Sequence, residues 1–482
     1  MPVYTKLFIA FFLVIFFDYY LVLKKFDVKK HLATRLSNVL LLLASLVFYA
    51  WAGIIFVPVI IIFGFVTYAS GLVLERLDNS VHRKLAASLF VAAELLPLVI
   101  VRILGLASRY SGYDEFIVPL GLSFFSLQVV TYTVGVYQRK IPAEKDLLTI
   151  LLFVSFFPCV SSGPIQRAEN LIPQIKKEKL FDYERSVDGR RLMVWGLMKK
   201  LVLAANLALY IDSVRSAEGE KYGAALFLTV IFYSFRLYFD FSGYSDIVTG
   251  CARAIGYDLG KNFDHPYLSH SIGEFWRRWH ISLSSWLRDY VYIPLGGSRT
   301  REWKIYRNLI ITFAVSGIWH GAGITWILWG LFHGICICLE RLFGRKDSKK
   351  SAFSVVTTFI LVTFGWIIFS VDNLGEVGEI IVSFARIPNE LFVVIPGMLG
   401  SGLTMSEAFR ELFMVPRNLS LVLMLIGIVI YGVISVFTYN RSGIEILREK
   451  KLMVRWSAYF ALVLIILILG QSGVEEFVYN RF

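Results

Sequence analysis

The sequence predicts an all-α polytopic membrane protein with about 11–13 membrane helices or re-entrant segments. Three observations carry this. The 482 residues are 56% hydrophobic and only 18% charged, whereas soluble domains are nearer half apolar and a quarter charged. Apolar runs approaching the length that crosses a bilayer as a helix recur from one end to the other. Lys and Arg collect in the turns between these runs, which is the positive-inside pattern of membrane helices. That pattern accounts for the net charge of +13 without nucleic acid, for which no RNP-like or zinc-finger motif is present. An anionic ligand or anionic lipid is a further use for the charge.

The first spans fall near residues 5–23, 37–50, 54–73, 85–105 and 116–137. The opening run, MPVYTKLFIAFFLVIFFDYYLVL, has no small-residue cleavage site and reads as a membrane helix rather than a removed signal. The basic turns KKFDVKKH (24–31), LERLDNSVHRK (74–84) and QRKIPAEK (138–145) follow the first, third and fifth spans. They alternate with poorer turns such as RYSGYDEF (109–116). The expected topology therefore has the N-terminus outside and these basic turns in the cytoplasm.

The run at 147–163 breaks the alternation, because the segment after it, IQRAENLIPQIKKEKLFDYERSVDGRR, is basic again. A hairpin that enters and leaves on one side fits, with Pro158 and Gly163–Pro164 as its break. Such irregular backbone is tolerated within a membrane only under a cover of protein or a wet cavity.

Spans near 192–211 and 222–245 lead into the longest polar turn, 257–307, which holds eight Lys/Arg against five Asp/Glu. Within it Trp279, Leu283, Trp286, Leu287 and Tyr290 follow helical spacing, while Arg277, Arg278, Ser285 and Arg288 lie elsewhere around the wheel. This predicts one amphipathic helix at an interface or shallow cavity. Further spans fall near 308–320, 322–340, 352–371, 419–438 and 456–473. ERLFGRKDSKK (340–350) and NRSGIEILREKKLMVRW (440–456) are placed in the cytoplasm. The segment 372–418, with six acidic and three basic residues, is placed outside, as is the terminal VEEFVYNRF.

Cys159, Cys251, Cys336 and Cys338 sit in or beside apolar stretches and form neither a disulfide framework nor a zinc spacing. They read as small hydrophobes, and no metal site is expected. Of seven histidines, His31 and His82 belong to basic turns, and His265 and His270 read as structural. His265 precedes Pro266, so its backbone is expected to be extended.

His280 follows WRRW and sits on the amphipathic segment; a boundary histidine and a functional one are both open. His320, in SGIWHGAG, is set among Gly317, Gly321 and Gly323, which let backbone or ligand approach, and beside Trp319 and Trp326. Ionisable groups in hydrocarbon are costly and mark function; a desolvated imidazole suits a general base, and a satisfied core histidine is the alternative. His333 lies thirteen residues on, about 220° around a regular helix, and reads as packing. In DFSGYSD (240–246), Asp240 and Asp246 end a span and need partners, with an arginine of the WRRW segment as the candidate.

The stretches FDFSGYSDIVTG, NFDHPYLSHSIGEFWRRWHISLSSWLRDYVYIPLGG and GIWHGAGITWILWGLFHG, in this order and spacing, resemble the membrane-bound O-acyltransferase (MBOAT) superfamily. The likeness is greatest to its bacterial branch that includes alginate O-acetylation and teichoic acid D-alanylation enzymes. PLGLSFFSLQVVTYTVGVYQRK (119–140) and SGPIQRAENLIPQI (162–175) extend it upstream. Two departures are Gly135, where an acidic residue is usual, and Cys159, where Gln is frequent.

The resemblance implies a single integral membrane domain over 1–482 around a central acyl-transfer tunnel. Residues 1–145 would form N-terminal helices, 146–340 a catalytic core with re-entrant segments, and 341–482 C-terminal helices and an extracytoplasmic tail. It implies His320 as the catalytic histidine and His280 as the second signature residue, while Asp240, Asp246 and Trp319 are read from the residues themselves as structural or positioning groups. Acetyl-CoA or another acyl thioester would be the donor substrate, with no bound cofactor, and an extracellular polysaccharide or cell-wall glycan the acceptor. An extracytoplasmic partner of the SGNH type is expected, and the donor acyl group has a carrier protein as another source.

Arg277, Arg278 and Arg288 have two readings, attraction of CoA phosphates and simple positive-inside anchoring. Tyr479, in the ending FVYNRF, has two as well, a transient acyl carrier and an aromatic interfacial anchor. The alternatives for the whole chain are D-alanyl transfer from a carrier protein to teichoic acid and a non-catalytic glycan or lipid transporter. A transporter would show internal repeats, and none is visible in the sequence.

Overall fold

The computed structural model describes residues 1–25, 30–111, 118–344, 351–415 and 418–471. These are helices joined by turns, with no strand among the described residues. Ten helices among them are long and apolar enough to cross a membrane, and the shorter apolar helix Leu122–Tyr137 comes in addition. The chain divides into two compact units, Met1–Gly196 with Tyr244–Asn262, and Leu197–Gly243 with Phe263–Phe482.

In the first unit α1 (Lys6–Lys25) packs on α2 (Lys30–Ala50), and α3 (Val57–Arg76) packs on α4 (Ser80–Ser111) and α5 (Leu122–Tyr137). The basic segment that opens α4 contributes to packing. Arg83 is buried, and its guanidinium donates to the carbonyls of Leu77 at 3.2 Å, Val136 at 2.7 Å and Tyr137 at 3.3 Å. A cation thus satisfies the last carbonyls of α3 and α5, where the helix dipole is negative.

The run predicted as a hairpin is broken. It forms α6 (Leu147–Ser155), a bend at Phe156, the single turn α7 (Phe157–Val160), and then α8 (Ala168–Lys176). The bend frees backbone groups that protein side chains satisfy. The Ser45 hydroxyl accepts the Phe157 N–H at 3.1 Å, and the Gln128 amide donates to the Phe153 carbonyl at 2.5 Å. This is how irregular backbone survives away from water. Gly121 starts α5 at φ 73°, where an added Cβ would lie 2.0 Å from the Val160 carbonyl, so this position admits only glycine. At Gly135, one of the two departures, a Cβ would meet only the Ile141 side chain, at 3.1 Å.

Helix α9 (Tyr183–Leu197) runs on through a π-helical stretch, Met198–Ala204, into α10 (Ala205–Ser216). Helix α11 (Gly223–Ala254) contributes residues 223–243 to the second unit and 244–254 to the first. Its N-terminus is held by Glu390, whose carboxylate accepts the N–H groups of Gly223 at 2.6 Å and Ala224 at 2.9 Å.

The rest of the second unit contains α12 (Ile272–Arg278), α13 (Ile281–Leu287), α14 (Glu302–His320), α15 (Ile324–Leu342) and α16 (Ala352–Ser370). The sequence predicts no span within 372–418, which its charge places outside. Leu374–Gly400 is a helical run apolar enough to cross a membrane, with a π-turn at Glu390–Val394 and prolines at 388 and 396. Its acidic residues spread along the run, which disguised the apolar stretches between them. Helices Asn418–Phe437 and Leu452–Leu469 complete the described chain.

Candidate active site

His320 is the last residue of α14; Gly321 follows in extended conformation and α15 begins at Ile324. The two helices cross at backbone contact because glycines meet there. A Cβ on Gly317 would lie 2.3 Å from the Trp326 carbonyl, and one on Gly330 would lie 2.2 Å from that of Phe313. A Cβ on Gly321 would overlap the Trp326 indole. The space beside Gly317 and Gly321 is therefore taken up by helix crossing and by Trp326.

The imidazole of His320 is 2% exposed. Its ring centroid lies 4.8 Å from that of Trp319, 4.9 Å from Trp329 and 5.4 Å from Phe369, each edge to face. Trp326 stacks parallel at 6.3 Å. This wall keeps water from the ring.

His280 occupies the break between α12 and α13. The single amphipathic helix expected here is two short ones, because His280 is left-handed, with φ 43°. The carbonyls at the break find new donors. The Asp264 N–H donates to Arg278 at 2.9 Å, the Ser284 hydroxyl to Trp279 at 3.1 Å, and the Ser284 N–H to His280 at 3.0 Å. Such a conformation is costly for a residue with a Cβ and persists where surroundings fix it. Here the N-terminus of α12 is anchored by Glu340, which accepts from Ile272 N–H at 2.6 Å and Gly273 N–H at 3.0 Å.

The break turns the His280 ring inward, to 1% exposure. It meets Phe241 at 4.7 Å and 85°, and Trp319 at 6.1 Å. Burial pushes its pKa down to about 3, so it is a neutral imidazole at physiological pH. Trp319 thus adjoins both histidines that the sequence singled out.

His333 is also fully buried, among Trp276 at 5.0 Å and Trp329 at 5.2 Å. The rotation of 220° between the histidines presumed a continuous helix; the chain breaks at 321–323 instead. Trp329 consequently stands against both rings, and a Cβ on Gly365 would approach His333 Nε2 to 2.6 Å.

Asp240 corrects another expectation. Its partner is not an arginine of the WRRW segment but Lys200, from the π-helical stretch before α10, in a short buried ion pair. The neighbouring Lys199 donates to Ser242 Oγ at 3.0 Å and lies over the Tyr238 ring at 5.9 Å. Between Asp240 and Ser242 stands Phe241, the residue in contact with His280. Consecutive lysines of this π-helical stretch thus meet the same helix, α11. Asp246 is half-buried and belongs to the first unit.

Arg278 is committed to local structure. It pairs with Glu274 at 2.9 Å and Asp264 at 3.8 Å, and packs over Tyr439 at 4.7 Å. Burial alone would raise the Glu274 carboxyl; the His270 N–H and Arg278 outweigh it and hold the group below its ordinary range. Arg277 is exposed, and Arg288 pairs with Asp289 at 2.8 Å. No two of these arginines are brought together with the histidines. His265 is left-handed at φ 48° rather than extended, with its carbonyl accepting the Leu268 N–H of the following turn and its Nε2 near the Thr438 carbonyl at 3.1 Å. Tyr479 lies outside the described residues. Among the described residues no three His, Cys, Asp or Glu side chains converge as a metal site would require.

The site therefore sets the neutral imidazole of His280 and the buried imidazole of His320 in an aromatic setting, where a histidine suits taking a proton from a hydroxyl. Sequence reasoning missed Lys199 and Lys200. Their signal was present: two adjacent lysines interrupt the apolar run WGLMKKLVLAANLALY.

A family model for MBOAT, the membrane-bound O-acyltransferase family, matches residues 6–371, which include every residue of this site. The probable alginate O-acetylase of Pseudomonas fluorescens is 37% identical over 352 residues, covering 72% of this chain and 69% of that protein. The peptidoglycan O-acetyltransferase of Helicobacter pylori is 33% identical over 419 residues, 77% of each chain. The teichoic acid D-alanyltransferase of Bacillus subtilis is 27% identical over 303 residues, 58% of this chain and 76% of that one.

Proposed function

The chain belongs to the membrane-bound O-acyltransferase family, and from that premise we propose that it transfers an acetyl group from a cytosolic thioester to an extracellular polysaccharide or cell-wall glycan. It is a multi-pass membrane enzyme. The observation that carries the catalytic assignment is His320, buried at the end of α14 behind four aromatic rings and sharing Trp319 with His280. Acetyl is favoured over D-alanyl because the O-acetylase relatives are 37% and 33% identical, against 27% for the D-alanyltransferase.

In this reading the acceptor hydroxyl attacks the thioester carbonyl while His320 takes its proton. The tetrahedral intermediate then expels the thiolate, which recovers that proton, leaving ester and thiol. Proton transfer by a positioned base contributes roughly 10²–10⁴-fold. His280, neutral and fixed by Phe241, positions the thioester or the oxyanion. This reading keeps the N-terminus and the C-terminal tail outside, with Leu374–Gly400 returning to the side it enters from; there the acyl group passes to an extracytoplasmic acyltransferase partner of the SGNH type, with Tyr479 as a transient carrier. Arg277 and Arg288, being exposed, remain available to the donor's phosphates; Arg278 is retained for structure.

Ester analysis of surface glycan from cells carrying His320→Ala tests the assignment. Loss of ester with normal levels of the protein in the membrane is expected, and unchanged ester content overturns it. Supplying purified protein with acetyl-CoA or with an aminoacylated carrier protein separates acetyl from D-alanyl transfer. Peptide mass spectrometry of the C-terminus, with and without Tyr479→Phe, tests the carrier.

A further inference from the structure

Glu94 lies in the middle of α4, a helix long and apolar enough to span the membrane, and is 1% exposed. Around it are three hydroxyls from the two helices packed against α4. Thr67 and Ser70 come from α3 and Thr133 from α5, and each is fully buried. Thr133 Oγ1 is 2.6 Å from Glu94 Oε1, Ser70 Oγ is 2.8 Å from Thr133 Oγ1, and Ser70 Oγ is 2.8 Å from the Thr67 carbonyl. Thr67 Oγ1 stands farther off, 3.5 Å from Oε1. Among the described residues Oε2 has no hydrogen-bond partner, and no cation pairs with the carboxyl.

Of the ionisable groups on the surrounding helices, Arg76, His82 and Lys84 are exposed at helix ends, and the following are engaged elsewhere. On α4 itself Arg83 caps helix ends and Arg102 donates to Ser123 Oγ at 3.1 Å. They stand about 16 Å and 12 Å away along the axis. On α3 the Tyr68 hydroxyl donates to the Lys145 carbonyl at 3.0 Å, and Glu75 pairs with Lys145 at 3.7 Å. On α5 the Tyr132 hydroxyl accepts the Glu144 N–H at 2.9 Å. Helix α6, which packs on α3, carries no ionisable side chain.

Proton counting decides the state of the carboxyl. Three oxygen–oxygen contacts of hydrogen-bond length link four oxygens: Glu94 Oε1, Thr133 Oγ1, Ser70 Oγ and the Thr67 carbonyl oxygen. Each contact needs a proton, and the carbonyl supplies none. Ser70 and Thr133 supply one each. The third belongs to Glu94. With it the chain closes in one direction: Glu94 donates to Thr133, Thr133 to Ser70, and Ser70 to the Thr67 carbonyl. With Glu94 ionised, Thr133 would donate to it instead, and the single Ser70 proton would be shared between Thr133 Oγ1 and the Thr67 carbonyl, beside an anion with no counter-charge in an apolar setting.

We propose that Glu94 is an intramembrane proton-binding site, occupied at neutral pH, whose bound proton completes a hydrogen-bonded chain tying α3, α4 and α5 together. The site lies in the first unit, is separate from the histidine site and does not depend on the acyl-transfer reading. Because the folded chain binds a proton there that the unfolded chain has released, its contribution to stability falls as pH rises.

Infrared difference spectroscopy of the purified full-length protein, wild type against Glu94→Gln, tests this at neutral pH. A protonated-carboxyl C=O band present in wild type and lost in E94Q is expected; a difference confined to the carboxylate region overturns the proposal. Thermal unfolding gives an independent readout. The Gln amide replaces the acid as donor to Thr133 without taking up a proton on folding, so E94Q should unfold at or above the wild-type temperature at neutral pH. Wild type should then lose stability relative to E94Q as pH is raised. An E94Q protein that fails to fold, or two parallel pH profiles, would overturn the assignment. Sodium chloride replaced by choline chloride should change neither protein. A sodium-dependent stabilisation of wild type that E94Q lacks would replace the proton with a metal cation and refute the proposal.

Discussion

Lys200 and Asp240 form an ion pair whose side chains are only 6% and 10% exposed, and the next residue, Phe241, lies against His280. Removing one member of such a pair strands the other charge away from water, at a cost of about 3–5 kcal/mol. Lys200→Met is therefore expected to unfold at markedly lower temperature and to lose ester formation. The double variant K200M/D240L removes both charges and should recover much of the stability. Thermal unfolding of the three proteins in one detergent checks this; a double variant no more stable than the single one would show that the pair is not the source of the loss.

The three histidines of the second unit's aromatic core separate by substitution. His320→Gln should lose roughly 10²–10⁴-fold in acyl transfer while remaining folded, as expected for a lost general base. His333→Leu should keep most of its activity at a stability cost of about 1–2 kcal/mol. Leucine suits that position because neither His333 nitrogen has a hydrogen-bond partner among the described residues. The close approach of Gly365 to Nε2 leaves no room for a phenylalanine ring. Rates measured on folded, purified variants decide the matter, and equal losses at 320 and 333 would erase the distinction between them.

The depressed pKa of His280 has a direction that can be measured. Its folded value of about 3 lies below that of an exposed histidine. The stabilisation from keeping it neutral is fully present above the ordinary histidine value and is lost as pH falls toward the folded one. Wild type should thus lose stability between neutral and mildly acid pH, and His280→Gln should lose less over the same range. The acid limb of the activity profile should have the same midpoint in both, because His280 does not titrate there. A midpoint that moves in H280Q would assign the titration to His280.

Composition and positive-inside charge were enough to read the membrane class, and the apolar runs located most spans. What they missed has physical reasons. The Leu374–Gly400 run was hidden by acidic residues such as Glu390, whose carboxylate is spent on the N-terminus of α11. Trp279 to Tyr290 keep helical spacing across the break at His280, since two short helices in succession share the period of one long helix. The partner of Asp240 was invisible because Lys200 lies 40 residues away in sequence, on another helical stretch. His320 and His280 were singled out by their motif context, whereas the contact of Trp319 with both rings required the fold.

Gly330 gives the strictest test of how α14 and α15 hold His320. An added methyl there would fall 2.2 Å from the Phe313 carbonyl oxygen, a backbone atom that no rotamer change can move. Gly330→Ala should therefore force the helices apart, at about 1–3 kcal/mol or more, and displace the His320 end of α14, so activity should fall together with stability. Two other glycines calibrate the effect. At Gly334 the nearest atoms are side-chain carbons of Ile310 and Phe313 at 3.2 Å and 3.3 Å, so Gly334→Ala should be milder. At Gly432, in Asn418–Phe437, nothing lies within 4 Å. There alanine should be neutral or gain up to about 1 kcal/mol from helix propensity. Melting temperatures and acyl-transfer rates of the three variants should rank G432A above G334A above G330A; a G330A protein as stable and active as G432A would mean that the helices do not cross at backbone contact.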